Sequence, residues 1–124
     1  MKDSDVPVIN AIATEVYQIA ADHGFHSDSP KPGSGEEATI GRLAKFCANL
    51  HGEASELWEA ARKGKLKDLC DKEGCDLTCA EEELADLAIR VFDCAVVLNV
   101  DIGRAILVKS KYNESRPFMH GKTA

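Results

Sequence analysis

Residues 36–63 have the sequence EEATIGRLAKFCANLHGEASELWEAARK, and this stretch decides the fold. Its apolar residues recur every three or four positions, so at about 100° per residue they form one stripe roughly 100° wide along a helix. Gly64 follows and is predicted to end this long amphipathic helix. The apolar positions of the stripe are Ile40, Leu43, Ala44, Cys47, Leu50, Ala54, Leu57, Trp58 and Ala61.

The same periodicity predicts one helix before this stretch and two helices after it. The first covers roughly residues 8–23 and is followed by a glycine. The third begins after Thr78, which together with Glu81 has the spacing of a capping box. Asp101 is predicted to cap the N-terminus of the fourth helix. No segment has a pattern that favours a β-strand over these helices.

The whole chain, residues 1–124, is predicted to be a single all-α domain folded as a four-helix bundle. Residues 27–35 are rich in Pro, Gly and Ser and are predicted to form the loop between the first two helices. The long second helix has more apolar surface than three shorter helices can cover. The core is therefore expected to be completed by oligomerisation, as a homodimer or homotetramer.

Charge and composition exclude several classes of protein. The formal net charge of −6 argues against a nucleic-acid-binding protein, although metal ions held by acidic groups can still attract an anionic substrate. No apolar run is long enough to span a membrane, and the polar first residues do not resemble a signal peptide. A cytoplasmic protein is therefore predicted.

The five cysteines are an odd number, which favours reduced thiols over a disulfide framework. Cys47 and Cys94 lie on or near apolar stripes and are predicted to be core residues. Cys70, Cys75 and Cys79 lie in and beside the connection between the second and third helices. Their spacing is not CxxC, so a zinc site is not favoured and their role is left open.

Two pairs of carboxylates, one on each of two consecutive helices, have the spacing i, i+3 that places both members on one helix face. Each pair lies at the rim of its apolar stripe, so helices packed by these stripes can bring the four carboxylates together. Hard oxygen ligands suit Mg²⁺, Mn²⁺ or Ca²⁺ better than Zn²⁺. Acidic pairs on helices more often form a solvated face, which is the expectation for Glu59, Glu81 and Glu82. The candidate metal ligands are Glu53, Glu56, Glu83 and Asp86.

Residues 50–57, 82–87 and 109–117 resemble, in that order, the motifs of the MazG-like all-α nucleoside triphosphate pyrophosphohydrolases. The family pattern is ExxE, a spacer, ExxD, and then a Lys…Asn…Arg element. The resemblance spans roughly residues 17–122. The ending His120-Gly121-Lys122 is similar to that of the small single-domain members, which are often encoded by phages.

The resemblance implies that a (deoxy)nucleoside triphosphate is hydrolysed to its monophosphate and pyrophosphate, which serves nucleotide-pool control. Mg²⁺, for which Mn²⁺ can substitute, would be bound by the four carboxylates, and Glu53 and Glu56 would be the catalytic residues. The host would be a bacterium or a phage-infected cell. A purine base, guanine ahead of adenine, is the expected preference.

The resemblance also implies contacts to the rest of the nucleotide. Lys109, Asn113 and Arg116 match positions that bind the phosphates, although without the resemblance a solvated helix end is the preferred interpretation of these residues. Tyr17 and Phe25 are candidates for contact with the base, because aromatic rings stack on nucleobases. The alternative for these two rings is simple packing within the bundle.

Two other functions remain open at the level of the sequence. One is phosphoribosyl-ATP pyrophosphohydrolase, a related helical family with similar carboxylates. The other is a non-enzymatic module, an acidic helical bundle that serves dimerisation. The second of these predicts that divalent metal ions do not affect the stability of the protein.

Overall fold

Helices make up most of the described chain, which in this computed structural model comprises residues 1–27 and 35–121. Among these residues only an isolated bridge between Leu69 and Thr78 is β-like, so the all-α prediction is confirmed. The loop predicted at residues 27–35 lies, except for its two end residues, outside the described chain. The helices are α1 (Asp5–Asp22), α2 (Glu36–Arg62), α3 (Cys79–Val97) and α4 (Ile102–Glu114), followed by the 3₁₀ turn Phe118–Gly121.

The N-terminus of α1 differs from the prediction. The helix begins at Asp5 and thus includes Pro7, whereas the apolar pattern placed its start near residue 8. Pro7 lies in the first turn, where backbone N–H groups have no partner within the helix, so its missing donor costs nothing. At the other end Gly24 has φ +85°, and the Phe25 N–H donates to the Ala20 carbonyl at 3.0 Å.

The other predicted helix ends are confirmed. Gly64 follows α2 with φ +68°, a conformation that glycine adopts at little cost. Thr78 accepts a hydrogen bond from the Glu81 N–H at 3.2 Å, and the Glu81 carboxylate accepts one from the Thr78 N–H at 3.1 Å. Asp101 accepts a hydrogen bond from the Arg104 N–H at 3.0 Å at the start of α4.

α3 packs against both α2 and α1, and α1 in turn packs against α4. The fully buried apolar residues of the described chain are Ala13, Phe46, Ala95 and Leu107, which is a small core. Much of the predicted stripe on α2 is exposed, including Ile40 at 58% and Trp58 at 67%. The prediction that Cys47 is a core residue is wrong, since its side chain lies on this exposed part of the stripe, while Cys94 is half-buried.

Candidate metal centre and adjoining cavity

Two polar stripes face each other where α2 packs against α3. Intervals of three and four residues keep side chains on one face of a helix, and both stripes have these intervals. Direct contacts join the stripes, because both Nε and Nη2 of Arg90 donate to Glu53 Oε1 at 3.3 Å. The polar stripe on α2 contains Arg42, Asn49, Glu53 and Glu56, with the buried Phe46 on the same face, and that on α3 contains Glu83, Asp86, Arg90 and Asp93.

Three of the four predicted metal ligands form a cluster at one end of these stripes. Oxygen atoms of Glu53, Glu56 and Glu83 all lie within 4.8 Å of one another. The fourth predicted ligand, Asp86, follows Glu83 by one turn of α3. Glu83 Oε2 is buried and has no hydrogen-bond partner within the part of the chain that is described. A buried oxygen of this kind is one that a bound cation could satisfy.

The carboxylates of the cluster oppose one another's ionisation. Burial, followed by the hydrogen bond and charge of Glu56, raises the pKa of Glu83 to about 7. Burial and the charges of Asp86 and Glu56 raise the pKa of Glu53, although Arg90 partly offsets this. The pKa of Asp86 is also raised, by burial and by the charge of Glu82. A divalent cation among these oxygens would remove the repulsion, and an all-oxygen donor set fits Mg²⁺, Mn²⁺ or Ca²⁺.

Glu82 does not lie on the solvated face expected for it. It is only 7% exposed, and its carboxylate pairs with the ammonium group of Lys72, which raises the pKa of that lysine. The sequence pattern missed this pairing because Lys72 lies in the irregular connection before α3. Glu81 is exposed, as predicted, and Glu59 is partly exposed, with ion pairs to its helix neighbours.

A cavity of about 520 Å³ lies between α1, α2 and α3 next to the cluster. Asp86, Arg90 and Asp93 of α3 line it, and Asp86 and Arg90 are the ones nearest in sequence to the cluster residue Glu83. A second cavity of about 410 Å³ is lined by Glu56 and Glu83 together with Lys65 and Lys72. The cluster residues Glu56 and Glu83 thus line the second cavity, and the fourth predicted ligand, Asp86, lines the larger one. The apolar wall of the larger one consists of Val16, Ile19, Ala20, Phe25, Phe46 and Ile89.

The two predicted base-contact residues have different positions. Phe25 lines the larger cavity and is 65% exposed, so its ring is accessible to a ligand. Tyr17 packs on the ring of His26, with 4.3 Å between ring centroids and 33° between ring planes. His26 lines the cavity. Tyr17 thus supports the wall of the cavity through His26.

The predicted phosphate-binding residues lie on and just after α4, which packs against α1, whereas the carboxylates lie on α2 and α3. The structure brings two of them together around one ring. Lys109 Nζ lies 4.6 Å from the Tyr112 ring centroid, and Arg116 Cζ lies 5.5 Å from it. Asn113 Oδ1 is buried and has no hydrogen-bond partner among the described residues. Contact of these residues with phosphate stays a prediction.

Arg90 and Asp93 are candidate site residues that the sequence analysis missed. The signal for them was present, because they continue the spacing of Glu83 and Asp86 by four and then three residues along the same face of α3. The two acidic pairs are only part of this pattern. Extending the pattern along the helix would have predicted a polar stripe three turns long.

The fold and the site define an all-helical protein with an acidic cluster suited to a divalent cation. Comparisons of the chain with protein-family models, curated proteins and solved structures gave no match. None of the described helices is long and apolar enough to cross a membrane. The geometry of the cluster and its cavity is therefore the basis for assigning a function.

Proposed function

We propose that this protein is a Mg²⁺-dependent nucleoside triphosphate pyrophosphohydrolase of the MazG-like type. It hydrolyses a (deoxy)nucleoside triphosphate to the monophosphate and pyrophosphate and thereby controls the nucleotide pool. The observation that carries this proposal is the convergence of Glu53, Glu56 and Glu83 from two helices, with a buried carboxylate oxygen left unsatisfied. Such an arrangement is costly unless a cation is bound.

The metal would be held by Glu53, Glu56, Glu83 and Asp86, with Mn²⁺ able to replace Mg²⁺. A bound ion neutralises charge on the phosphates, orients them and lowers the pKa of a coordinated water. Arg90 fixes the position of Glu53 through its two hydrogen bonds. Glu53 and Glu56 are proposed as the catalytic residues, since carboxylates close to the reacting water can accept its proton.

The larger cavity supports a nucleoside as the organic part of the substrate. Its volume of about 520 Å³ is within the range of small-molecule sites. It is mostly apolar but contains charged groups at defined points, and Phe25 offers a ring on which a base can stack. Because Asp86 lines this cavity, a base bound there would direct its phosphates toward the carboxylate cluster.

The phosphates require cations in addition to the metal. A triphosphate carries about four negative charges, so two divalent ions would balance it while the carboxylates stayed uncompensated. Lys109, Asn113 and Arg116 are proposed to supply these contacts. The cationic groups of Lys109 and Arg116 both lie against the Tyr112 ring, and Asn113 would contribute the N–H donors of its side-chain amide.

An oligomer, a homodimer or a homotetramer, is part of the proposal. Exposed apolar residues such as Ile40 and Trp58 on α2 are where such an interface would form.

The test is a panel of canonical and modified nucleoside triphosphates, with phosphoribosyl-ATP included, incubated with Mg²⁺ or Mn²⁺. Products are resolved as mono- or diphosphates. We expect metal-dependent release of pyrophosphate from at least one nucleoside triphosphate. Release of orthophosphate, or hydrolysis of phosphoribosyl-ATP alone, would contradict the assignment. No turnover together with a melting temperature insensitive to metal would favour the non-enzymatic module.

A further inference from the structure

Asp93 is the most deeply buried charged residue of the described chain, with 3% of its surface exposed. It lines the larger cavity, yet its Oδ1 atom is buried and lacks a hydrogen-bond partner among the residues that the structure describes. An ionised carboxylate has no hydrogen to donate, so both of its oxygens can only accept hydrogen bonds. Leaving one of these oxygens without a donor in an apolar site is costly. Because Asp93 lines the cavity, its unpaired Oδ1 is suited to a ligand that offers N–H donors.

The surroundings hold this carboxylate in place and keep one of its oxygens available. Asp93 Oδ2 lies 3.5 Å from Nε2 of His26, and His26 is fixed by the ring of Tyr17. Burial raises the pKa of Asp93, and the neighbouring His26, Arg90 and Arg42 partly offset this shift. Oδ2 therefore faces the His26 ring, whereas Oδ1 has no partner among the described residues and is the oxygen open to a new hydrogen bond.

The position of Asp93 also matches the geometry of a nucleotide. It follows Asp86 by seven residues, which is two turns of α3 and about 10 Å along the helix axis. Both Asp86 and Asp93 line the cavity, and Asp86 is one turn of α3 from the cluster residue Glu83. A sugar and a base can bridge this distance, with the phosphates at the carboxylate cluster and the edge of the base at Asp93.

We infer that Asp93 selects the base of the substrate and that this base is guanine. The Watson–Crick edge of guanine presents N1–H and the N2 amino group side by side, so a carboxylate oxygen with two lone pairs can accept from both. Thymine and uracil present one N–H between two carbonyl oxygens, which a carboxylate repels. Adenine and cytosine present an amino group next to a ring nitrogen that is itself an acceptor. The inference rests on the proposed function only in assuming that the cavity holds a nucleotide.

The test compares dGTP, dITP and dATP as substrates of the wild-type protein and of Asp93→Asn, with Mg²⁺. The wild type should prefer dGTP over dITP, which lacks the N2 amino group, and dITP over dATP. Asp93→Asn replaces an acceptor oxygen by a donor of the same size. It should lower the ratio of kcat/KM for dGTP over dATP by roughly 10- to 100-fold. Asp76→Asn is the control, because it removes the same negative charge at an exposed position of the connection before α3. It should leave this ratio unchanged.

Binding of the monophosphates dGMP, dIMP and dAMP to the wild type, measured by calorimetry, separates this inference from the proposed function. It requires neither turnover nor a folded variant. Tighter binding of dGMP without hydrolysis of any triphosphate would support base selection and overturn the proposed reaction. Equal binding of dGMP and dAMP would overturn the selection of guanine, whatever the protein hydrolyses. An Asp93→Asn variant that kept the wild-type preference would overturn the role of Asp93.

Discussion

At the scale of single residues, the chemistry of Glu83 gives the most direct test of the carboxylate cluster in the metal-free protein. Its pKa is raised from 4.5 to about 7 in the folded state by burial and by Glu56. Between these two pH values the folded state therefore binds more protons than the unfolded state. By linkage, the stability that this proton provides is complete below pH 4.5 and is lost as the pH rises through about 7.

We expect the melting temperature of the metal-free protein to fall as the pH is raised across this window, and Mg²⁺ to restore it at neutral pH. Glu83→Gln keeps the size of the side chain and removes the titration, so its melting temperature should change less with pH. Thermal unfolding at constant ionic strength measures both. If the melting temperature changed equally with pH in the variant and the wild type, Glu83 would not titrate in this way.

Substitution of a metal ligand should separate activity from stability. Glu53→Gln or Asp86→Asn should abolish turnover and leave the protein folded, because either change reduces repulsion among the remaining carboxylates. Steady-state release of pyrophosphate and thermal unfolding are the two measurements. Glu59→Gln is a matched control, since Glu59 is on the same helix but pairs with Arg62 outside the cluster. Full activity of either ligand variant would exclude that residue from the site.

The C-terminal residues provide the sharpest test of the phosphate contacts. Such contacts strengthen as charge moves onto the leaving pyrophosphate, so their loss should lower kcat and not only raise KM. Arg116→Ala is expected to reduce kcat/KM by about 10²-fold or more, by analogy with the removal of a preorganised donor. Lys111→Ala is the control, because Lys111 is on the same helix but lies 3.8 Å from Asp3. Normal turnover of both Arg116→Ala and Lys109→Ala would show that this segment does not bind the phosphates.

At the scale of secondary-structure elements, local signals predicted α2, α3 and α4 well and α1 less well. Thr78 and Asp101 bind backbone N–H groups within three residues of themselves, so the sequence alone contains the whole interaction. The cluster was predicted for a similar reason, since helical spacing decides which carboxylates share a face. Contacts between distant segments could not be predicted, because no local pattern connects Lys72 with Glu82 or His26 with Asp93.

The crossing of α1 and α4 is another contact that the sequence did not reveal. Gly103 lies so close to α1 that an added Cβ would be 2.5 Å from the Val6 carbonyl oxygen. The Gly103 N–H donates to Asn10 Oδ1 at 2.8 Å, and the Asn10 amide donates to Asp101 at 2.8 Å. This small set of hydrogen bonds fixes where α4 starts against α1, and it depends on the close approach of the two backbones.

Gly103→Ala should therefore destabilise the protein by about 1–3 kcal/mol, since the two helices must move apart to admit the methyl group. Chemical denaturation measures this loss of stability as a lower midpoint concentration of denaturant, with the m-value unchanged. Gly41→Ala is the matched control: it also places alanine in a helix, but nothing lies within 4 Å of the added Cβ. The control should stabilise the protein by about 0.5–1 kcal/mol. Equal effects of the two substitutions would contradict the close crossing.

At the scale of the whole molecule, the small core and the exposed apolar residues of α2 favour association of chains. Phe46 is the largest fully buried side chain, and it is held beneath Arg42 and beside His26. The exposed part of the apolar stripe on α2, which includes Ile40 and Trp58, is not covered by other residues of the described chain. Removing apolar surface from water stabilises a protein by about 25 cal/mol per Å². Covering this apolar face of α2 with another chain would therefore stabilise the assembly.

Light scattering at micromolar concentration should therefore give a mass of at least twice 13.4 kDa. Trp58→Glu places a charge in the exposed stripe and should shift the mass toward that of one chain, because an unpaired charge is costly in an interface. Lys67→Glu makes a larger change of charge at an exposed position of the connection and should leave the mass unchanged. A wild-type mass near 13.4 kDa would contradict the assembly. The stripe on α2 would then be an exposed surface of a monomer, and the phosphate contacts from α4 would have to form within one chain.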